Sequence, residues 1–312
     1  MIRTDRRTLL GGLAASIASA PLATAVAADR PFSFLVVGDW GRDGAQHQRD
    51  VAEAMGRAAA ESGARFVLSV GDNFYENGVQ SASDPQWQTS FEAIYTAPSL
   101  QVPWFVALGN HDYRGNPQAQ IDYAATSPRW KMPRRYYQVP GATLGMAEID
   151  LFVIDTSPLV HQYREKVEAP IAHNVATQDG DAQLAWLDGA LAASPAPIKL
   201  VIGHHTLRSG GSAHGETPEI VQRVLPILRK NRVTAYVNGH DHDLQHIRAD
   251  GLDYLCCGAG SEVRPVKAVQ GTQFCTSRSG FALVQLTGAQ LNAEFRDYEG
   301  QKLYMAALGQ KA

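Results

Sequence analysis

The sequence predicts an α/β fold, and three observations carry that prediction. Short apolar runs recur along the chain with helix-like segments between them. Five of the runs stop at a glycine that is followed by Asp, Asn or His. Beyond the fifth, further apolar runs follow one another with little helix between them. A chain of 312 residues, 45% of them hydrophobic, can bury a sizeable core.

Residues 32–37 form the first run, apolar enough for a strand buried on both faces, and end at GDWG (38–41). Residues 45–61 place apolar positions at helical spacing. Residues 65–70 read as the second strand, before GDNFY (71–75), and residues 104–108 as the third, before GNHDY (109–113). A further strand is predicted at 146–154 and a helix at 183–191. Residues 198–202 lead into GHH (203–205), a helix is expected over 218–230, and residues 233–237 lead into GHDH (239–242). Strands at 252–257, 281–286 and 293–298 can extend the architecture to two sheets packed face to face. Residues 114–140 and 157–180 read as loop-rich. In α/β folds, ligands bind beyond the carboxyl ends of the strands, so the five motifs are expected to converge.

The motifs supply seven donors: Asp39, Asp72, Tyr75, Asn110, His204, His240 and His242. Carboxylate, amide and phenolate oxygens suit hard ions and imidazole suits borderline ones. Seven donors are too many for one tetrahedral ion but suit a pair sharing a carboxylate, for which Asp72 is the choice. Two adjacent ions bind a phosphoryl group and acidify a bound water, which makes phosphoester hydrolysis by a metal-bound hydroxide the expected chemistry.

The series GD, GDxxY, GNH, GH and GHxH resembles that of the purple acid phosphatases among the calcineurin-like metallophosphoesterases. GDNFYENGV, GNHDY followed by Arg129, Trp130 and Pro133, and GHDHDLQ are similar to the short, tartrate-resistant type. The resemblance implies a four-layer α/β/β/α sandwich of two mixed sheets. It assigns Asp39, Tyr75 and His242 to a ferric ion, and Asn110, His204 and His240 to an Fe(II), Zn or Mn ion, with Asp72 between the two. It puts His111 at the leaving group, with Asp112 orienting the imidazole, and offers His214 as a second acid. The histidine that many metallophosphoesterases carry two residues after the first aspartate is Gly41 here, and Tyr75 supplies the missing ligand.

Asp5, Arg6, Arg7, Thr8, Leu9 and Leu10 precede an Ala-rich apolar stretch, so residues 1–27 read as an export signal of twin-arginine type, with 28–312 as the metallophosphoesterase domain. An ordinary secretory signal is the alternative, and either predicts export machinery as a partner and a periplasmic or secreted protein with no membrane span after signal removal. A net charge of -3 gives no basis for stable nucleic-acid binding and leaves a small phosphoester as the expected substrate. Cys256, Cys257 and Cys275 read as buried structural cysteines, two of which could pair. Two other functions fit the motifs: a metal-dependent phosphodiesterase or nucleotide pyrophosphatase, and an iron redox protein.

Overall fold

The computed structural model describes residues 1–2, 30–165 and 169–310. The predicted export signal falls almost wholly outside these residues, and the chain from Pro31 onward clusters as one unit, which is described here. Two seven-stranded mixed sheets form it. In the first sheet β1 (Phe32–Val37) has β2 (Val67–Ser69), β3 (Trp104–Val106) and β4 (Trp130–Lys131) parallel to it on one side. On its other side lie β12 (Gly280–Thr287), β13 (Gln290–Asp297) and β14 (Lys302–Ala307), each antiparallel to the strand before it.

In the second sheet β8 (Ala235–Asn238) is flanked by parallel β7 (Ile198–Ile202) and β10 (Leu252–Cys257). Parallel β6 (Ile149–Val153) and antiparallel β5 (Tyr137–Val139) complete one side. Antiparallel β9 (Leu244–Ala249) and β11 (Thr272–Thr276) complete the other. The sheets meet near β10 and β12 and are stitched where β1 and β10 end: Gly38 N donates to Cys257 O at 2.8 Å and Gly260 N to Gly38 O at 3.0 Å. This stitch brings the motif-bearing ends of the two sheets together.

Helix α1 (Gln48–Ser62) buries Val51, Met55, Ala58 and Ala59 and packs on β1 and β12. The chain then crosses α2 (Pro117–Ala124), α3 (Gln162–Glu165) and α4 (Ala169–Ala176), and α5 (Gly180–Ala193) is capped by Asp179, whose side chain accepts from Asp181 N and Ala182 N. Residues 218–230 differ from expectation, forming α6 (Pro218–Arg223) and α7 (Leu225–Lys230) with a break at Val224. Pro226 explains the break, since it lacks the N–H that a continuous helix would use and fits only in a first turn. The loop-rich stretch 114–140 contains α2 and the edge strands β4 and β5, too short to show a period in the sequence.

Cys256 and Cys257 are buried, Cys275 is half-buried, and all three are free thiols. No helix among the described residues is long and apolar enough to cross a membrane.

Candidate metal centre

Asp39 and Asp72 follow β1 and β2, Asn110 follows β3, His204 and His240 follow β7 and β8, and His242 precedes β9. The structure brings them together with Tyr75 in two adjoining groups. In the first, Tyr75 Oη lies 3.1 Å from Asp39 Oδ1, 3.0 Å from Asp72 Oδ2 and 3.0 Å from His242 Nε2. His242 Nε2 is also 3.4 Å from Asp39 Oδ1. The phenol proton can serve only one carboxylate, so the other faces the phenol oxygen with no proton between them, whichever tautomer His242 adopts. Donors bound to a common ion at about 2.1 Å stand about 3.0–3.4 Å apart, in octahedral or tetrahedral arrangement respectively, so the spacing fits a cation at the focus. Burial, and after it the charges of Asp39 and Asp72, push the Tyr75 phenol well above its ordinary pKa, a shift that a bound cation opposes.

The second group turns on the other oxygen of Asp72. Its Oδ1 is 3.4 Å from His204 Nε2, which lies 3.2 Å from Asn110 Oδ1. His204 Nδ1 is 2.9 Å from Val70 O; a carbonyl only accepts, so Nδ1 carries the proton and Nε2 faces inward. The His240 ring lies 5.0 Å from that of His204. Burial, reinforced by the neighbouring histidines, holds His240 well below the usual histidine value and so in the neutral form, which is the form able to bind a metal. Burial disfavours charge on His204, yet Asp72 and Asp39 outweigh it and raise its pKa to about 9. Asp72 and Asp39 thus favour positive charge at this position.

Backbone conformation aims these groups. Asp39, Asp72 and His240 adopt the left-handed region at φ 58°, 49° and 72°, a cost borne where each strand turns into the site. Two motif glycines are set by close approach. A Cβ on Gly109 would stand 2.1 Å from Asp72 Oδ1, and one on Gly239 would stand 2.2 Å from Asp39 Oδ2. Each is glycine because a carboxylate of another motif fills the space.

Beneath the carboxylates a buried network ties three motifs together. Trp40 Nε1 donates to Ser69 Oγ at 2.8 Å, Ser69 Oγ to Asn73 Oδ1 at 2.5 Å, and Asn73 Nδ2 to Ala107 O at 2.9 Å. Asp112 belongs to this network, which corrects the expectation that it orients the His111 imidazole. Its carboxylate accepts from Asn73 N, Asn73 Nδ2, Gly109 N and Gln120 Nε2. These four donors fix the turns that carry Asp72 and Asn110. Burial, then the Asp72 charge, pushes Asp112 up to about 7.

His111 stands at the rim, its ring 4.3 Å from that of Tyr75. Its N–H donates to Asp72 Oδ1 at 2.8 Å, and Nδ1 lies 2.7 Å from the Glu76 carbonyl, which leaves Nε2 facing the site 4.0 Å from Asp72 Oδ2. Arg114 Nη1 approaches both ring nitrogens, at 2.8 and 3.1 Å. His214 stacks on His240 at 4.0 Å, and Asp241 anchors its loop by accepting from His214 N and Gly215 N. Arg264 Nη1 is 3.2 Å from His214 Nε2; because an arginine only donates, that nitrogen accepts. Partial burial lowers the His214 pKa, with Asp241 opposing and Arg264 reinforcing.

His205 is buried between Thr156 Oγ1, 2.8 Å from Nδ1, and Tyr163 Oη, 3.0 Å from Nε2, behind a cavity of about 250 Å³ that reaches His214 and His240. Among the residues not singled out from sequence, Asn73 and Asp241 lie within a motif and were within reach. Gln120 and Arg264 lie in stretches without a motif, and only the fold brings them here.

The calcineurin-like phosphoesterase family model matches residues 32–244. Purple acid phosphatase 3 of Arabidopsis thaliana is 40% identical over 295 residues, covering 88% of this chain and 77% of the relative. Tartrate-resistant acid phosphatase type 5 of Sus scrofa is 35% identical, covering 89% of this chain and 87% of the relative. Among solved structures, the Plasmodium inner-membrane-complex anchor GAP50 superposes with a TM-score of 0.75 at 23% identity, covering 90% and 89% of the two chains, a likeness of fold. With two mixed sheets, the ordered motifs at their facing ends and relatives matched over most of its length, this chain belongs to the purple acid phosphatases, within the calcineurin-like phosphoesterases.

Proposed function

We propose that this protein is a binuclear metal-dependent acid phosphatase that hydrolyses phosphomonoesters outside the cytoplasm. The observation that carries the metal reading is the focus at Tyr75 Oη, where two buried carboxylate oxygens and an imidazole nitrogen stand 3.0–3.1 Å away and the phenol proton can serve only one of the two carboxylates. The donors fit a metal pair: Asp39, Tyr75 and His242 would hold a ferric ion, and Asn110, His204 and His240 an Fe(II), Zn or Mn ion. Asp72 would join the two, because its oxygens face different groups. When bound, the ions supply positive charge for the phosphoryl oxygens and an acidified water as nucleophile.

The chain's own residues do the rest. His111, steered by the Glu76 carbonyl, presents Nε2 to the site and passes a proton to the leaving oxygen. Asp112 acts at a distance by fixing the turns beneath Asp72 and Asn110. His214, stacked on His240 and lowered by partial burial, serves the pocket wall better than proton donation. Export rests on Arg6 and Arg7 with the apolar stretch after them.

The test is hydrolysis of p-nitrophenyl phosphate against bis-p-nitrophenyl phosphate by protein reconstituted with iron plus zinc or manganese. Monoester preference that disappears in Asp72→Ala is the expected result. A diester preference would move the function to phosphodiesterase, and metal-independent turnover would overturn the metal reading itself.

A further inference from the structure

Arg42 follows the first motif directly and takes no part in the mechanism above. Its guanidinium carbon lies 3.8 Å from the centroid of the Tyr75 ring. Two carboxylates hold it there: Nη1 donates to Glu76 Oε1 at 2.6 Å and Nη2 pairs with Glu262 Oε2 at 2.8 Å. Each carboxylate also approaches a histidine of the centre. Glu262 Oε2 is 3.9 Å from His242 Nδ1, and Glu76 Oε2 is 3.6 Å from His111 Nδ1. A belt of alternating charge thus runs from His242 across the face of Tyr75 to His111.

Surface ion pairs alone do not account for this placement. Glu76 and Glu262 have 61% and 37% of their side chains exposed, and such pairs are weak. Arg42 is only 9% exposed, and its Nε is buried without a hydrogen-bond partner. The guanidinium has given up solvent for a position over one aromatic ring. A neutral ring attracts a cation through its quadrupole, and a phenolate, whose charge spreads into the ring, attracts it more strongly.

We propose that Arg42 is a positioning residue for the metal centre: held by Glu76 and Glu262, it sets the energy of the Tyr75 phenolate and so the electronic character of the ion that Tyr75 binds. The proposal rests on the ligand assignment above. A cation closer to the ring than to the ion lowers the donor level of the ring more than the acceptor level of the metal. Its removal narrows that gap, so the tyrosinate-to-iron absorption moves to longer wavelength. Removal of a positive charge beside the ion also favours the ferric state, which lowers the ferric/ferrous potential.

The experiment uses the full chain loaded with iron, with metal content, absorption spectrum and potential measured for wild type, Arg42→Leu and Arg42→Lys. The expected result is a shift to longer wavelength and a lowered potential in Arg42→Leu with both metals retained, and an intermediate position for Arg42→Lys. An unmoved band and potential in a fully loaded Arg42→Leu would overturn the proposal and leave Arg42 a packing residue. If Arg42→Leu does not fold, Arg42→Gln, which removes the charge and keeps a polar side chain at the same position, must shift the band in the same direction; no shift there also overturns it. A colourless, iron-loaded wild type would instead strike down the ligand assignment on which the proposal stands.

Discussion

The two halves of the centre share Asp72 and draw on the same pair of sheets, yet they differ in charge. Around Tyr75 stand two buried carboxylates, a phenol and one imidazole. Around Asn110 stand the shared carboxylate, an amide and two imidazoles. The first set suits a hard, highly charged ion and the second a borderline divalent one. Each half draws donors from both sheets, and the difference between them lies in which side chain is set at or near each strand end.

Removing the shared group should have the largest effect. Asp72→Ala is expected to lose both ions by metal analysis and to bring turnover to background, and a variant that kept one ion and its activity would break the comparison at its centre. Asn110→Ala should weaken only the second ion, by more than the ~10–100-fold typical of losing an outer partner of a ligand, while the absorption band of the Tyr75 half survives. Loss of both together would mean the halves do not bind separately. Tyr75→Phe reverses the pattern: the band disappears, the second ion stays, and part of the turnover remains because Asp39, Asp72 and His242 are still in place. The smallest effect is expected from His214→Ala, whose rate with poor leaving groups should fall less than that of His111→Ala. Equal losses would restore His214 as a proton donor.

Much of this contrast was legible in the sequence because each donor sits at or shortly beyond a strand end and each of these strands is predominantly apolar. Strand β1 at residues 32–37 and β10 at residues 252–257 stand where the pattern puts them. What escaped has physical causes. The edge strand β4 is two residues long, and Pro226 divides a segment whose apolar spacing alone suggests one helix. Asp112 was misassigned because adjacency in sequence says nothing of direction: its carboxylate turns inward to Asn73 and Gly109, while the His111 ring turns to the Glu76 carbonyl. Arg42 escaped because stacking over an aromatic ring leaves no spacing signature.

The stitch between β1 and β10 has a consequence for the order of events in the life of the chain. The donors begin at Asp39 and end at His242, on strand ends that meet only once Gly38 and Cys257 are paired. The complete donor set therefore exists only once nearly the whole domain has left the ribosome and closed long-range contacts, which are slow to form. Binding of the proposed metal pair would then follow folding, and a chain loaded before crossing a membrane would cross it folded.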